Sequence, residues 1–162
     1  MTHLVVVDTN VVVAALLTAQ NDSPTARTLD AMVDGSLMHV LSPDLLAEYR
    51  SVLLRPRLAQ RHGLSEAEVD ELLATLTANA IWREPPAASA LSTPEASNPR
   101  APDDGDAHLW ALLACEPAAC LVAGDQVLLQ SPYPGRLLML PRQLWDVLDR
   151  EPGAAWSPAS DA

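Results

Sequence analysis

Residues Val5–Ala14 read V-V-V-D-T-N-V-V-V-A, with a carboxylate, Asp8, and a carboxamide, Asn10, set inside an almost wholly apolar run. Apolar residues lead without alternation into Asp8, the pattern of a strand buried on both faces, which is how strands of parallel sheets read. A carboxylate ending such a strand needs compensation. Unpaired and desolvated it would cost several kcal/mol, so it shifts its pKa, finds a cation or binds a metal. In open parallel sheets ligands bind just beyond the carboxyl ends of the strands. Asp8 is the first candidate for chemistry.

The rest of the chain alternates in the same sense. His3–Val7 is predicted as the first strand, followed by a helix over Val11–Thr18. Ser23-Pro24 and Ser42-Pro43 are N-cap-plus-proline pairs, opening helices to about Val33 and over Asp44–Leu54, with a short strand Met38–Leu41 between them. Pro56 is read as a stop. Ser65-Glu66-Ala67-Glu68 is a capping box before a helix reaching about Asn79. Ala80–Arg83 is a third strand. The proline-rich stretch Glu84–Gly105 is read as a long loop. A helix over Asp106–Cys115, a strand over Ala119–Ala123, a helical turn over Val127–Leu129, a strand over Arg136–Leu140 and a helix over Pro141–Asp149 complete the pattern. Strands alternating with helices predict an α/β chain, a mostly parallel central sheet of 4–5 strands between helical layers. Its 162 residues suit one domain, 1–150, with 151–162 as a flexible tail.

Composition narrows the function. No stretch approaches the roughly 18 uninterrupted apolar residues of a membrane span. Met-Thr-His is not a signal-peptide start, and the protein is read as cytoplasmic. Cys115 and Cys120 are read as two buried thiols. All ten basic residues are arginine, which excludes Schiff-base chemistry and a P-loop lysine. A net charge of −11 argues against a broad basic nucleic-acid surface. Arg50, Arg55, Arg57 and Arg61 nevertheless fall close together; they either touch phosphates or solvate a helix exit.

Three more carboxylates stand in telling places. Glu48, in L-L-A-E-Y-R-S-V-L-L, lies at the edge of a helix's apolar face. Asp106 opens a helix after an acidic loop, and Asp125 follows C-L-V-A-G at the end of another buried strand. Singly, each has a plain reading as a solvated edge, a first-turn acid or a turn residue. Together with Asp8 they bring like charges to one sheet edge, where a divalent cation would relieve their repulsion. Oxygen-only ligands suit Mg²⁺ or Mn²⁺. His108, one turn into the Asp106 helix, is read as a core-edge or solvent histidine sooner than as a metal ligand.

V-V-D-T-N-V-V-V-A-A-L-L, L-S-P-D-L-L-A-E-Y-R-S-V-L-L-R-P-R-L, G-L-S-E-A-E-V, D-D-G-D-A-H-L-W-A-L-L-A and L-V-A-G-D-Q-V-L-L follow one another in the order seen in PIN domains. The chain resembles that family over about residues 3–149, and within it the VapC-related toxins of toxin–antitoxin systems. The resemblance implies a three-layer α/β/α fold and a metal-dependent endoribonuclease. It puts the family's acids on Asp8, Glu48, Asp106 and Asp125, with Asp104 as an additional acid. It makes Asn10 the polar residue that helps hold the first acid, and it implies RNA as substrate, an antitoxin as partner and a homodimer. A haloacid-dehalogenase-like phosphatase is the other enzyme with a similar first motif, but it needs an aspartate where Asn10 stands and a lysine. The alternative from another class is a PIN-like module that binds RNA or a partner without cutting.

Overall fold

β1 (Leu4–Val7) carries three valines, Val5, Val6 and Val7, that are wholly buried. Each contributes about 1.5–3 kcal/mol of burial, and a strand covered on both faces can only lie in the middle of a sheet. It does so. The computed structural model, which describes residues 3–85, 104–124, 129–130 and 137–150, places β1 at the centre of a five-stranded sheet of order β3-β2-β1-β4-β5. The other strands are β2 (Met38–Leu41), β3 (Ala80–Trp82), β4 (Cys120–Val122) and β5 (Leu138–Met139), and every pairing is parallel. Seven helices flank the sheet among the described residues: α1 (Thr9–Leu17), α2 (Pro24–Asp34), α3 (Pro43–Leu53), α4 (Pro56–His62), α5 (Glu66–Ala78), α6 (Ala107–Cys115) and α7 (Pro141–Arg150).

Local chemistry sets most boundaries. The Ser23 hydroxyl accepts from the Ala26 N–H and the Ser42 hydroxyl from the Leu45 N–H, each at 3.2 Å, with proline at the first helical position. Ser65 and Glu68 form the reciprocal capping box. Gly35, with φ +80°, ends α2 in the left-handed conformation that glycine adopts most readily. Cys115 and Cys120 are free thiols, but only Cys120 is buried; Cys115 is half-buried, and burial pushes the Cys120 thiol up to about 12. Among the described residues no helix is long and apolar enough to cross a membrane.

The structure departs from the sequence reading in three places. Pro56 does not merely stop α3: it opens α4, a helix whose residues are all at least partly exposed, so no apolar stripe announced it. The first long helix begins at Thr9, not Val11, which makes Asp8 its N-cap and puts Asn10 in its first turn. Asp104–Asp106 is a turn of 3₁₀ helix leading into α6 rather than the end of a loop. The proline-rich segment 86–103, the turn at 127–128, residue 136 and the tail 151–162 lie outside the described residues.

Candidate active site at the carboxyl edge of the sheet

Asp8 follows the last residue of the central strand. Its backbone N–H donates to the Val122 carbonyl at 2.9 Å, fastening the end of β1 to the end of β4. Asp8 is 5% exposed. Its carboxylate does not cap α1, yet it stands at the positive end of that helix, which favours negative charge there.

Glu48 comes to the same place from α3. Its side chain is about one-third exposed, so it is neither core nor a freely solvated edge. One of its oxygens, Oε2, accepts a hydrogen bond from the Thr9 hydroxyl. His108 Nε2 lies 3.4 Å from the same oxygen. The residue beside Asp8 therefore holds Glu48, and the first turns of α1 and α6 meet α3 at one carboxylate.

Tyr49 completes the support. It is fully buried, and its hydroxyl donates to the Val7 carbonyl at 2.5 Å. Burial raises its pKa well above 10, and the negative charges of Asp8 and then Glu48 raise it further. The geometric link between the two acids is Thr9, next to Asp8 in the chain and bonded to Glu48.

Asp106 is the N-cap of α6, half-buried, and its carboxylate does not cap the helix. Two residues on, His108 reaches Glu48. The backbone of Asp104 belongs to the 3₁₀ turn just before. Asp125 lies outside the described residues; β4, which leads to it, ends beside Asp8. Among the described residues no three His, Cys, Asp or Glu side chains are grouped so as to hold a metal ion. The described carboxylates, Asp8, Glu48 and Asp106, are oxygen donors of the kind that suits a hard divalent cation.

Asn10 is exposed on α1, and it is Thr9 whose side chain ties the first acid's helix to Glu48. Arg50 does not join the carboxylates. Its guanidinium is paired with Asp70 at 2.8 Å and Glu66 at 2.7 Å, both on α5, and a phosphate would have to compete with both. Arg55 is exposed at the start of α4, without a side-chain capping bond. Thr9 and Tyr49 were not singled out by sequence reasoning. Thr9 sits in plain view within D-T-N, but its partner is 39 residues away and leaves no local signature.

Comparison with curated proteins finds no match. The family model described as the PIN domain matches residues 4–127, which takes in β1, Asp8, Glu48 and Asp106 as well as Asp125. PIN domains are generally nucleases and typically use divalent metal ions. With an all-parallel five-stranded sheet, an acid at the end of its central strand and that match across most of its length, the chain belongs to the PIN domain family.

Proposed function

We propose that this protein is a divalent-cation-dependent endoribonuclease that hydrolyses RNA phosphodiester bonds. The observation that carries the reading is that Glu48, beside His108, is held by Thr9, the residue next to Asp8 at the end of the central strand. Two carboxylates brought toward one strand end repel each other unless a cation or substrate uses them. Asp8, Asp106 and Asp125 are the residues that would hold Mg²⁺ or Mn²⁺, with Asp104 as a further acid. A cation bound there would neutralise the cleft toward phosphate and lower the pKa of the attacking water.

The chain's own groups have separate tasks. Asp8 sets the position of the site, because its backbone is locked between β1, β4 and α1. Glu48, with one oxygen engaged by Thr9, orients the attacking water and takes its proton. Water oxygen then bonds to phosphorus as the P–O bond to the leaving nucleotide breaks, and the leaving oxygen keeps that electron pair and takes a proton from solvent. Thr9 fixes the carboxylate's rotamer.

We assign the biological role as the toxin of a toxin–antitoxin pair, acting in the cytoplasm, with an antitoxin protein as partner and a homodimer as the working form. The ordered motifs support this role. A small DNA-binding protein encoded next to this gene is the expected finding, and its absence would count against the toxin role while leaving the nuclease reading untouched.

The enzymatic reading is tested with purified protein on a panel of structured RNAs, with Asp8→Asn prepared in parallel to expose contaminating nuclease. Cleavage is expected to vanish with EDTA, return with Mn²⁺ and fall by orders of magnitude in Asp8→Asn and Asp125→Asn. Cleavage that survives EDTA, or is equal in the mutants, would overturn it and favour a PIN-like module that binds RNA or a partner without cutting.

A further inference from the structure

A chain with a net charge of −11 must hold RNA by something other than a broad basic surface. Several of its arginines are already engaged by acids: Arg27 with Asp149, Arg50 with Glu66 and Asp70, Arg83 with Glu116. Stacking on an aromatic ring is the main attraction for single strands that does not depend on charge, and it tolerates any base. Aromatic residues are scarce here, with four Trp, two Tyr and no Phe.

Among the described residues Trp82 is the only exposed large hydrophobic side chain, at 37%. It is the last residue of β3, in register with Leu41, the last residue of β2, just as Val7 is the last of β1. Trp82 therefore stands at the same carboxyl edge of the sheet as the strand end that leads to Asp8. Two strand spacings separate β3 from β1, or about 10 Å, a span that a few nucleotides cover. One hydrogen bond reaches the ring and two hold the strand end. Its indole N–H donates to Glu84 Oε1 at 3.1 Å, and the Trp82 carbonyl accepts from Arg83 Nη1 at 3.0 Å. The Arg83 N–H donates to the Leu41 carbonyl at 2.9 Å, which pins the strand end. A ring that is mostly covered and already held by one hydrogen bond has less freedom to lose when a base settles on it.

We propose that Trp82 is a stacking platform for an unpaired RNA base, a short distance along the strand from the bond at Asp8, so that the protein selects single-stranded RNA over duplex. This rests on the ribonuclease reading for the identity of the ligand. A base buried in a duplex has no free face to offer, so the platform discriminates by strandedness and not by sequence.

The test is binding of fluorescein-labelled single-stranded RNA to the full-length Asp8→Asn protein, followed by anisotropy, with the same protein carrying Trp82→Ala, Trp82→Tyr or Trp82→Leu. Trp82→Ala is expected to weaken binding by about five- to a hundredfold, the range of one base–aromatic stack. Trp82→Tyr keeps most of the affinity, and Trp82→Leu, apolar but without a π-face, does not. Binding of the matching duplex is weak and unchanged in all variants. In the otherwise wild-type chain Trp82→Ala raises KM with kcat nearly constant. Equal single-strand affinity in parent, Ala and Leu variants would overturn the platform, and cleavage by the wild type in the same series would leave the nuclease reading standing. Trp82-dependent binding without any cleavage would do the reverse.

Discussion

Replacing Tyr49 by phenylalanine should cost stability at neutral pH and stop costing it in strong alkali. The ring is wholly buried and stays in place, so little cavity forms. What is lost is the hydroxyl that donates to the Val7 carbonyl. Leaving a buried polar group short of its partner costs about 1–3 kcal/mol; taking about 2 kcal/mol, Tm falls by roughly 4–8 °C for a chain of this size. The pH dependence follows from the raised pKa of Tyr49, caused by burial first and by Asp8 and Glu48 after it. Above the ordinary value of 10 the unfolded chain releases the phenolic proton while the folded chain keeps it. The folded state then binds more protons, so its stability falls as pH rises. The rate is about 1.4 kcal/mol per pH unit. The wild-type advantage of about 2 kcal/mol is therefore erased between roughly pH 11 and 12. Cys120, also held protonated by burial, titrates alike in both proteins and cancels in the difference. Urea unfolding of both proteins at pH 7, 10 and 11.5 measures this. Equal stability at pH 7, or a gap that does not close by pH 11.5, would refute the role given to the Tyr49 hydroxyl.

A buried histidine and the Thr9–Glu48 bond give two more tests. His39 is fully buried with its Nε2–H donating to the Leu76 carbonyl at 2.9 Å, and burial holds its pKa below the ordinary 6.5; below pH 6.5 the unfolded chain takes up a proton that the folded chain refuses, so stability falls with pH, and His39→Gln should show a shallower decline between pH 6.5 and 5 by chemical denaturation. Thr9→Val, which keeps the shape and removes the donor to Glu48, should lower the RNA cleavage rate by about 10–100-fold with the melting temperature nearly held, whereas Thr9→Ser should retain most activity; equal rates in Val and Ser variants would show that the bond to Glu48 does not serve catalysis.

Features that depend on neighbours in the chain were legible in the sequence. V-V-V-D declared a strand buried on both faces with an acid at its end, and the two Ser-Pro pairs declared α2 and α3 because cap and proline act within one turn. The parallel sheet followed from the alternation. α4 escaped because none of its residues is buried, which leaves no periodic apolar signal, and because proline both ends and begins helices. The carboxylates themselves could be listed as candidates, but what holds them could not. Thr9 finds Glu48 across 39 residues, and His108 meets it from a different helix. The pairing of Arg50 with Glu66 and Asp70 is equally invisible locally, and it turns a candidate phosphate contact into part of an α3–α5 brace.

The acids at the carboxyl edge of the sheet are proposed to form a site for a divalent cation. Titration of the metal-free protein with Mn²⁺, followed by electron paramagnetic resonance of the free ion, measures that without any assumption about substrate. Saturable binding is predicted for the wild-type chain and its loss in Asp8→Asn, with both proteins folded by circular dichroism. Binding of equal strength and stoichiometry in the two proteins would rule out a cation site built on Asp8.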